Sequence, residues 1–180
     1  MNDPVDRLYE RVLVVRCQAG DERAFEELIA RYHARLRAYV VRMLGGDAHA
    51  AEDALQEVWL DVFRGAPKLR DAGAFRGWLY RLARDRAYRL LRKRGRIVEP
   101  LDEQVAAEAE DPEEDVELLH DALDRLAPAH REALWLRYVE RMSYEQIAAL
   151  VGCGLGTVRS RIFYAKRALK RDIERISGND

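Results

Sequence analysis

The spacing of apolar residues constrains the fold of this chain more than any other feature of its sequence. In both halves, apolar side chains recur every three or four residues, which is the period of one face of an α-helix. The longest such series comprises Phe25, Leu28, Ile29, Tyr32, Leu36, Tyr39, Val40 and Met43. The first half contains no stretch with the two-residue alternation of a β-strand. The sequence therefore predicts an all-α fold.

Helix boundary signals divide the first half into four helices. Asp3-Pro4, Asp21 and Asp47 each offer a side chain that can accept hydrogen bonds from the first turn of a helix. Glycines at residue 20 and residues 45–46 end the first two helices. We expect helices over about residues 4–18, 22–44, 48–64 and 74–94. The fourth should bury Phe75, Trp78, Leu79, Leu82 and Leu90.

Charge is segregated along the chain although the total is only −1. Residues 1–98 carry 20 Lys and Arg against 14 Asp and Glu, a net charge of +6. Residues 99–117 carry 10 acids and no Lys or Arg, and residues 118–180 carry 11 basic and 8 acidic residues, a net of +3. The acidic stretch also holds two prolines and no sustained amphipathic period. We predict an N-terminal helical domain over 1–95, a flexible acidic linker over 96–116 and a C-terminal domain over 117–180.

The C-terminal domain has the spacing of a helix-turn-helix. Pro128 is expected to break the chain before a helix over about 130–140, and Ser143 and Gln146 form a capping box that starts a short helix. After a turn at residues 152–154, a last helix over about 155–176 should bury Leu155, Val158, Ile162, Ala165 and Leu169. Its opposite surface presents side chains suited to the major groove, namely Thr157, Arg159, Ser160, Arg161, Phe163 and Lys166. The alternative is a structural helical hairpin with a solvated basic face.

The fourth helix is strongly basic. Between Arg81 and Arg96 there are 8 Lys and Arg and 1 acid. Its predicted outer face, Arg81, Arg84, Tyr88 and Arg92, combines cations with an aromatic ring, which suits phosphates and stacked bases. Such a helix could also lie on an anionic membrane surface. Nucleic acid is the favoured partner, because the apolar residues Trp78 and Leu82 are expected in the core.

The third helix has the opposite charge. Residues 47–63 include 5 acids and no Lys or Arg, and Asp53, Glu57 and Asp61 repeat four residues apart on one face. Like charges at this spacing cost an isolated helix about 0.2–0.5 kcal/mol per pair. A cationic partner would relieve the repulsion. That partner is either a basic helix of this chain or another protein, and charge alone favours neither.

Other classes of protein find little support in the sequence. No stretch approaches the apolar length of a membrane span, and acids stand where a signal peptide would be basic. Two cysteines far apart suggest a reducing cytoplasm rather than a disulfide scaffold. The four histidines show no metal-binding spacing, and no glycine-rich phosphate loop follows a strand. We therefore predict a cytoplasmic protein that is not an enzyme, with no catalytic residues, metal or other cofactor, small-molecule substrate or membrane insertion.

Four segments, in order, resemble the bacterial sigma factors of the extracytoplasmic-function type. They are GDERAFEEL (residues 20–28) with Tyr32, AEDALQEVWL (51–60), FRGWLYRLA (75–83), and SYEQIA (143–148) with GTVRSR (156–161). Together they cover most of residues 20–170. Each segment is moderately specific alone, and the four in this order are highly specific.

The resemblance implies a role for each module. The third helix would dock on the clamp helices of core RNA polymerase through Glu52, Asp53, Gln56 and Glu57. The loop before the fourth helix and that helix itself would open the minus-ten element and capture an unstacked base of the non-template strand, through Lys68, Arg70, Asp71, Ala74, Phe75, Arg81, Arg84, Asp85 and Tyr88. The last helix would read the minus-thirty-five element through Gly154, Leu155, Gly156, Thr157, Arg159, Ser160, Phe163 and Lys166. The linker would thread the polymerase, and an anti-sigma factor is an expected further partner.

Three residues depart from the family pattern. Asp85 stands where Asn is common, Tyr164 where a basic residue is common, and Gly154 replaces a common Pro in the turn. The sequence preferences of relatives therefore do not transfer directly to this chain. Two rival functions are a regulator that binds an operator without delivering polymerase, and a helical module that binds a partner and never touches DNA. The first leaves the four N-terminal helices without a role.

Overall fold

The computed structural model describes residues 4–95 and 126–177, and side chains in the second range up to residue 171. Every regular element in these ranges is helical, which confirms the predicted fold class. The chain divides into two compact units, residues 1–96 and 97–180. The predicted acidic linker over 96–116 lies outside the described residues, so its boundaries remain predictions.

Four α-helices build the N-terminal unit. They are α1 (Pro4–Gln18), α2 (Glu22–Met43), α3 (Ala48–Gly65) and α4 (Phe75–Lys93). Between α3 and α4 the chain forms two short 3₁₀ turns, Ala66–Lys68 and Ala72–Ala74. We call residues 66–74 the α3–α4 loop. The predicted helix bounds agree with the observed ones to within one residue.

The expected caps start α2 and α3. The Asp21 carboxylate accepts a hydrogen bond from Ala24 N at 3.2 Å, and the Asp47 carboxylate accepts one from Ala50 N at 2.9 Å. Each bond satisfies an N–H group that the first helical turn leaves without a backbone partner. After α2 the chain reverses through Gly45 and Gly46, whose φ angles of 67° and 90° are strained for other residues.

The core of this unit is built around α2, which packs against α1, α3 and α4. Tyr32 and Tyr39 of α2 are fully buried and meet the rings of Phe75 and Tyr80 of α4, with ring centroids 5.8 Å and 5.4 Å apart. On α4 the buried stripe comprises Phe75, Leu79, Tyr80, Ala83, Ala87 and Leu91. Trp78, Leu82 and Leu90 were expected in the core and are only partly buried. Trp78 and Leu82 lie at the edge of this stripe, and Leu90 lies on it near the end of the helix.

The C-terminal unit contains α5 (Pro128–Leu134), which continues into a π-helical turn over Trp135–Val139, then α6 (Tyr144–Val151) and α7 (Leu155–Ser177). Pro128 was predicted to break the chain before this helix, but it is the first residue of α5. A first helical position needs no N–H donor, so proline fits there. The capping box is confirmed, because Gln146 N donates to Ser143 Oγ at 3.2 Å and Ser143 N donates to Gln146 Oε1 at 2.9 Å.

The helices α6 and α7 pack through their apolar faces. Val158, Ile162, Ala165 and Leu169 of α7 are buried together with Ile147 and Leu150 of α6, which confirms most of the predicted stripe. Leu155 was expected to be buried and is partly exposed, because it is the first residue of α7 and lies at the end of the packed face. Gly152 ends α6 with a left-handed φ of 73°.

The two N-cap carboxylates of the N-terminal unit generate a prediction about acid stability. The guanidinium of Arg16 lowers the pKa of Asp21, and the amide of Ala24 adds to the effect. The amide of Ala50 lowers the pKa of Asp47, with help from Arg94. A depressed folded-state pKa stabilises the fold above the unfolded pKa of about 4, and the contribution disappears as the pH falls through the folded value.

We therefore expect the double substitution Asp21→Asn and Asp47→Asn to flatten the loss of stability between about pH 5 and pH 2. Asparagine keeps a capping oxygen but cannot be protonated there. Urea unfolding across this pH range measures the effect. Parallel profiles for the variant and the parent would show that these carboxylates contribute nothing to acid unfolding.

Candidate functional site

The outward surface of α3 carries an apolar patch beside its acidic residues. Leu60 is 52% exposed and Phe63 is 60% exposed. The Phe25 ring lies 5.4 Å from that of Phe63 and 6.3 Å from that of Trp59, so aromatic packing fixes the patch. We define the α2–α3 apolar patch as the residues that line this shallow depression with Gln56 at its edge, namely Phe25, Ile29, Trp59, Leu60 and Phe63.

Part of the acidic run on α3 is neutralised within the unit. The Arg86 guanidinium of α4 donates to Glu57, and to Asp61 at 2.7 Å. Arg37 Nε donates to Glu52 at 3.2 Å. The alternative in which a basic helix of this chain relieves the repulsion is therefore realised for Glu57 and Asp61.

Asp53 and Gln56 occupy the outward side of α3. The Asp53 side chain is 66% exposed and has His49 Nε2 at 4.0 Å. Gln56 is exposed at the edge of the α2–α3 apolar patch. Of the four residues predicted to bind polymerase, three are exposed and Glu52 is partly buried. Glu52 and Glu57 also bind cations of their own unit.

Leu60 and Phe63 were missed as candidate binding residues. The sequence contained the signal, because residues 56, 60 and 63 share one helical face and the last two are large and apolar. The charge pattern of α3 indicated its carboxylates as the binding residues. Only the fold shows that the neighbouring apolar side chains remain outside the core.

The residues of the predicted basic face of α4 share one side of the helix, but Arg84 and Tyr88 are partly buried. Arg81 and Arg92 are exposed, and the guanidinium carbon of Arg84 lies 4.4 Å from the centroid of the Tyr88 ring. Asp85 is exposed next to them, with its carboxylate 4.0 Å from Arg84 Nη1. Arg86 lies on the opposite side of the helix, where it binds the acids of α3. Among the cations of α4, Arg86 thus binds α3, Arg81 and Arg92 are exposed, and Arg84 is only 20% exposed.

The α3–α4 loop presents Lys68, Arg70 and Asp71 to solvent. Asp71 shapes it, because Gly73 N donates to the Asp71 carboxylate at 2.8 Å. Ala74 is also exposed. Phe75 was predicted to contact DNA, but it is fully buried between Tyr32 and Trp78. Burial of the ring anchors the end of the loop and withdraws it from contact with a base.

On the helix-turn-helix, Arg159, Gly154 and Gly156 are exposed, and Leu155, Thr157, Phe163 and Lys166 are partly exposed. Ser160 was predicted on the outer surface and is only 1% exposed. Its hydroxyl donates to the Thr157 carbonyl at 3.0 Å, since a small polar side chain on the packed face can bond back to its own helix. The ammonium of Lys166 lies 5.2 Å from the centroid of the Tyr138 ring.

Within the described ranges 4–95 and 126–177, no helix is long and apolar enough to span a membrane. Within the same ranges, no three His, Cys, Asp or Glu side chains come together as metal ligands could.

Comparison with known proteins identifies two regions of similarity. The family model described as Sigma-70 region 2 matches residues 28–97, and that described as Sigma-70, region 4 matches residues 116–169. The RNA polymerase sigma-H factor of Pseudomonas aeruginosa is 36% identical, over 92% of this chain and 94% of its own length. The ECF RNA polymerase sigma-E factor of Escherichia coli K12 is 33% identical, over 94% of this chain and 96% of its own length.

Solved structures share the architecture. The sigma factor RpoE of Bartonella quintana, crystallised with the anti-sigma factor NepR, matches with a TM-score of 0.66 and 25% identity, over 83% of this chain and 96% of that one. CnrH, in complex with the cytosolic domain of CnrY, matches with a TM-score of 0.66 over 92% and 97%, and at 22% identity it supports the fold alone.

Gly65, at the junction of α3 and the α3–α4 loop, yields a prediction about packing. A β-carbon at Gly65 would stand 2.7 Å from Cζ2 and 2.9 Å from Cη2 of the Trp78 indole. Gly65→Ala should destabilise the protein by about 1–3 kcal/mol, because the indole must move to admit the methyl group. Urea unfolding measures the change. Combination with Trp78→Leu should remove most of the added cost, and a fully additive double mutant would refute this contact as its cause.

Proposed function

This chain belongs to the sigma-70 family of bacterial transcription factors, and to its extracytoplasmic-function (ECF) type; we propose that opposite sides of its N-terminal unit perform different parts of the task. As a sigma factor it binds core RNA polymerase and recognises promoter DNA for transcription initiation. The observation that carries the proposed division is the position of Arg86. It binds the acids of α3 from one side of α4, while the basic face of α4 points away.

The polymerase-binding surface is proposed on the outward side of α3. Asp53 and Gln56 are its exposed polar residues, and Leu60 and Phe63 add an apolar centre. Apolar residues surrounded by polar ones are typical of the core and rim of a protein interface. Glu52 and Glu57 lie on the rim and remain part of the proposal, although cations of this unit already bind them.

The minus-ten surface is proposed on the α3–α4 loop and the basic face of α4. Lys68, Arg70, Asp71 and Ala74 would meet the displaced strand, and the cations of α4 would bind its phosphates. Phe75 supports this surface from below rather than contacting DNA. Arg81, Arg84 and Tyr88 have the cationic and aromatic character that single strands require, and Asp85 adds a charge that disfavours close phosphates.

The minus-thirty-five surface is proposed on the turn before α7 and on the N-terminal half of that helix. Gly154 and Gly156 allow close approach of the DNA backbone, and Arg159 has the exposure that base reading requires. Leu155, Thr157, Phe163 and Lys166 flank it. The buried Ser160 is left out of the direct contacts, and we assign it to the shape of α7.

We further propose that the chain acts in the cytoplasm by binding alone, because core polymerase works there and supplies the chemistry. It would therefore need no cofactor and no small-molecule substrate. The Bartonella relative was solved with an anti-sigma factor, and this supports the proposal that a protein of the same class restrains the present chain.

The proposed apolar centre of the polymerase surface predicts the effect of a double substitution. Leu60→Ser with Phe63→Ser should weaken binding to core RNA polymerase by about tenfold or more, because large side chains at an interface centre contribute most of the affinity. Titration of fluorescently labelled protein with purified core polymerase measures this.

The matched control is Leu8→Ser with Val12→Ser. It removes two exposed apolar side chains from α1, at 63% and 45% exposure, where no interface is proposed. Both variants should keep the helical circular dichroism of the parent. Equal affinity of the α3 variant and this control for core polymerase would overturn the assignment of the patch.

Arg159 and Lys166 should differ in what they contribute to promoter binding. An arginine that contacts a guanine with two hydrogen bonds supplies about 1–3 kcal/mol of discrimination, whereas a lysine on phosphate carries no sequence information. Arg159→Ala should relax the preference at one or two base pairs of the upstream element. Lys166→Ala should weaken binding to all sequences alike and reduce the salt slope by about one. Selection from randomised upstream elements decides between them, and an unchanged preference in the Arg159 variant contradicts base reading by this residue.

A further inference from the structure

The first helix, α1, precedes the region-2 match at residues 28–97 but reaches the α3–α4 loop. Its last residue, Gln18, donates from Nε2 to the Ala66 carbonyl at 3.1 Å and to the Leu69 carbonyl at 2.7 Å. These partners are 48 and 51 residues away in sequence, and both bonds are partly buried. The two carbonyls belong to the first 3₁₀ turn of the loop and the residue after it, so one side chain bridges that turn.

The chemistry of this contact requires a donor. Both partners are carbonyl oxygens, which only accept hydrogen bonds, and the primary amide of Gln18 has two N–H groups to give. Leu69 N also donates to the Ala66 carbonyl at 3.1 Å, which closes the turn from within. A carboxylate of the same shape would place oxygen against oxygen. An alkyl chain of similar length would leave both carbonyls without this partner.

Arg11 touches the other end of the loop from the same face of α1, seven residues before Gln18. A β-carbon at Gly73 would lie 2.8 Å from Arg11 Nη2, so the guanidinium lies directly over the second 3₁₀ turn. The helix α1 thus contacts both turns of the loop. Gly73 has no side chain and leaves room for the Arg11 guanidinium.

The helix that carries Gln18 is itself held to the core. The buried Tyr32 hydroxyl donates to Glu10, and Arg31 Nη2 donates to Asp6 at 2.5 Å. On the inner face, Leu13, Val14 and Cys17 are buried. A loop hydrogen-bonded to such a support loses less conformational entropy when it binds a ligand.

We propose that Gln18 is a positioning residue for minus-ten recognition: it fixes the backbone of the α3–α4 loop so that Lys68, Arg70 and Asp71 meet the displaced strand in one conformation. The proposal rests on the minus-ten role proposed above for the loop. Gln18 itself contacts no DNA, and its effect passes entirely through the loop backbone.

Three substitutions and a control test the contact. Gln18→Met and Gln18→Glu remove the donors while keeping the length of the side chain, and Gln18→Lys restores donors. Tyr9→Phe is the matched control, because it removes the 2.7 Å hydrogen bond from the Tyr9 hydroxyl of α1 to Glu27 and leaves the loop untouched. Amide hydrogen exchange at Leu69 should be about tenfold faster in the Met and Glu variants, and near the parental rate in the Lys and Phe variants.

The functional readout is selection by holoenzyme, assembled from core RNA polymerase and each variant. The promoter library carries a randomised minus-ten element beside a randomised minus-thirty-five element. Gln18→Met and Gln18→Glu should lose about three- to tenfold of the discrimination at the minus-ten element. The minus-thirty-five preference and the affinity for core polymerase should stay at the parental values, which a general loss of folding would not produce. Gln18→Lys should recover most of the discrimination.

Lys68→Ala and Asp71→Ala are measured in the same assay, so that the minus-ten role of the loop is tested separately from the positioning role of Gln18. If neither loop substitution changes the minus-ten preference, the role proposed for the loop is wrong. If they change it while Gln18→Met and Gln18→Glu do not, the loop assignment stands and the positioning role of Gln18 is overturned. Parallel losses at both promoter elements would also overturn it, because they would indicate damage to the whole fold.

Discussion

Burial of the apolar stripe of each helix is the constraint from which the rest of the structure follows. An amphipathic helix buries its apolar face, and the resulting orientation of the helix fixes the direction of the charged side chains around it. On α4, burial of Phe75, Leu79 and Leu91 turns Arg86 toward α3 and leaves Arg81 and Arg92 exposed. A single helix therefore binds its neighbour through one cation and exposes others to solvent.

The same constraint changes the meaning of the acidic run on α3. In sequence the carboxylates form one face, but the fold pairs Glu57 and Asp61 with Arg86. Partly exposed ion pairs contribute only about 0–1 kcal/mol each, so their main effect is to cancel repulsion and orient α3 against α4. This orientation leaves the apolar side chains of Leu60 and Phe63 exposed. The outward surface of α3 is thus less acidic and more apolar than its sequence suggests.

The accuracy of the sequence predictions depended on the range of the interaction. Helices and caps follow from contacts within four residues, and the Ser143–Gln146 capping box was predicted and confirmed on that basis. Predictions of side-chain exposure were less accurate where the direction of a side chain depends on a distant element. Ser160 was expected at the surface and is buried, because packing selects one side of α7. Gln18 gave no signal, since its partners lie about fifty residues along the chain.

The proposed surfaces let one chain join core polymerase to promoter DNA. Run-off transcription with purified core RNA polymerase and genomic promoter fragments measures this. We expect discrete transcripts that begin downstream of the bound elements and appear only when the intact chain is added. Binding of the same fragments without any discrete transcript, at saturating core polymerase, would contradict this proposal and would favour a regulator that only occupies DNA.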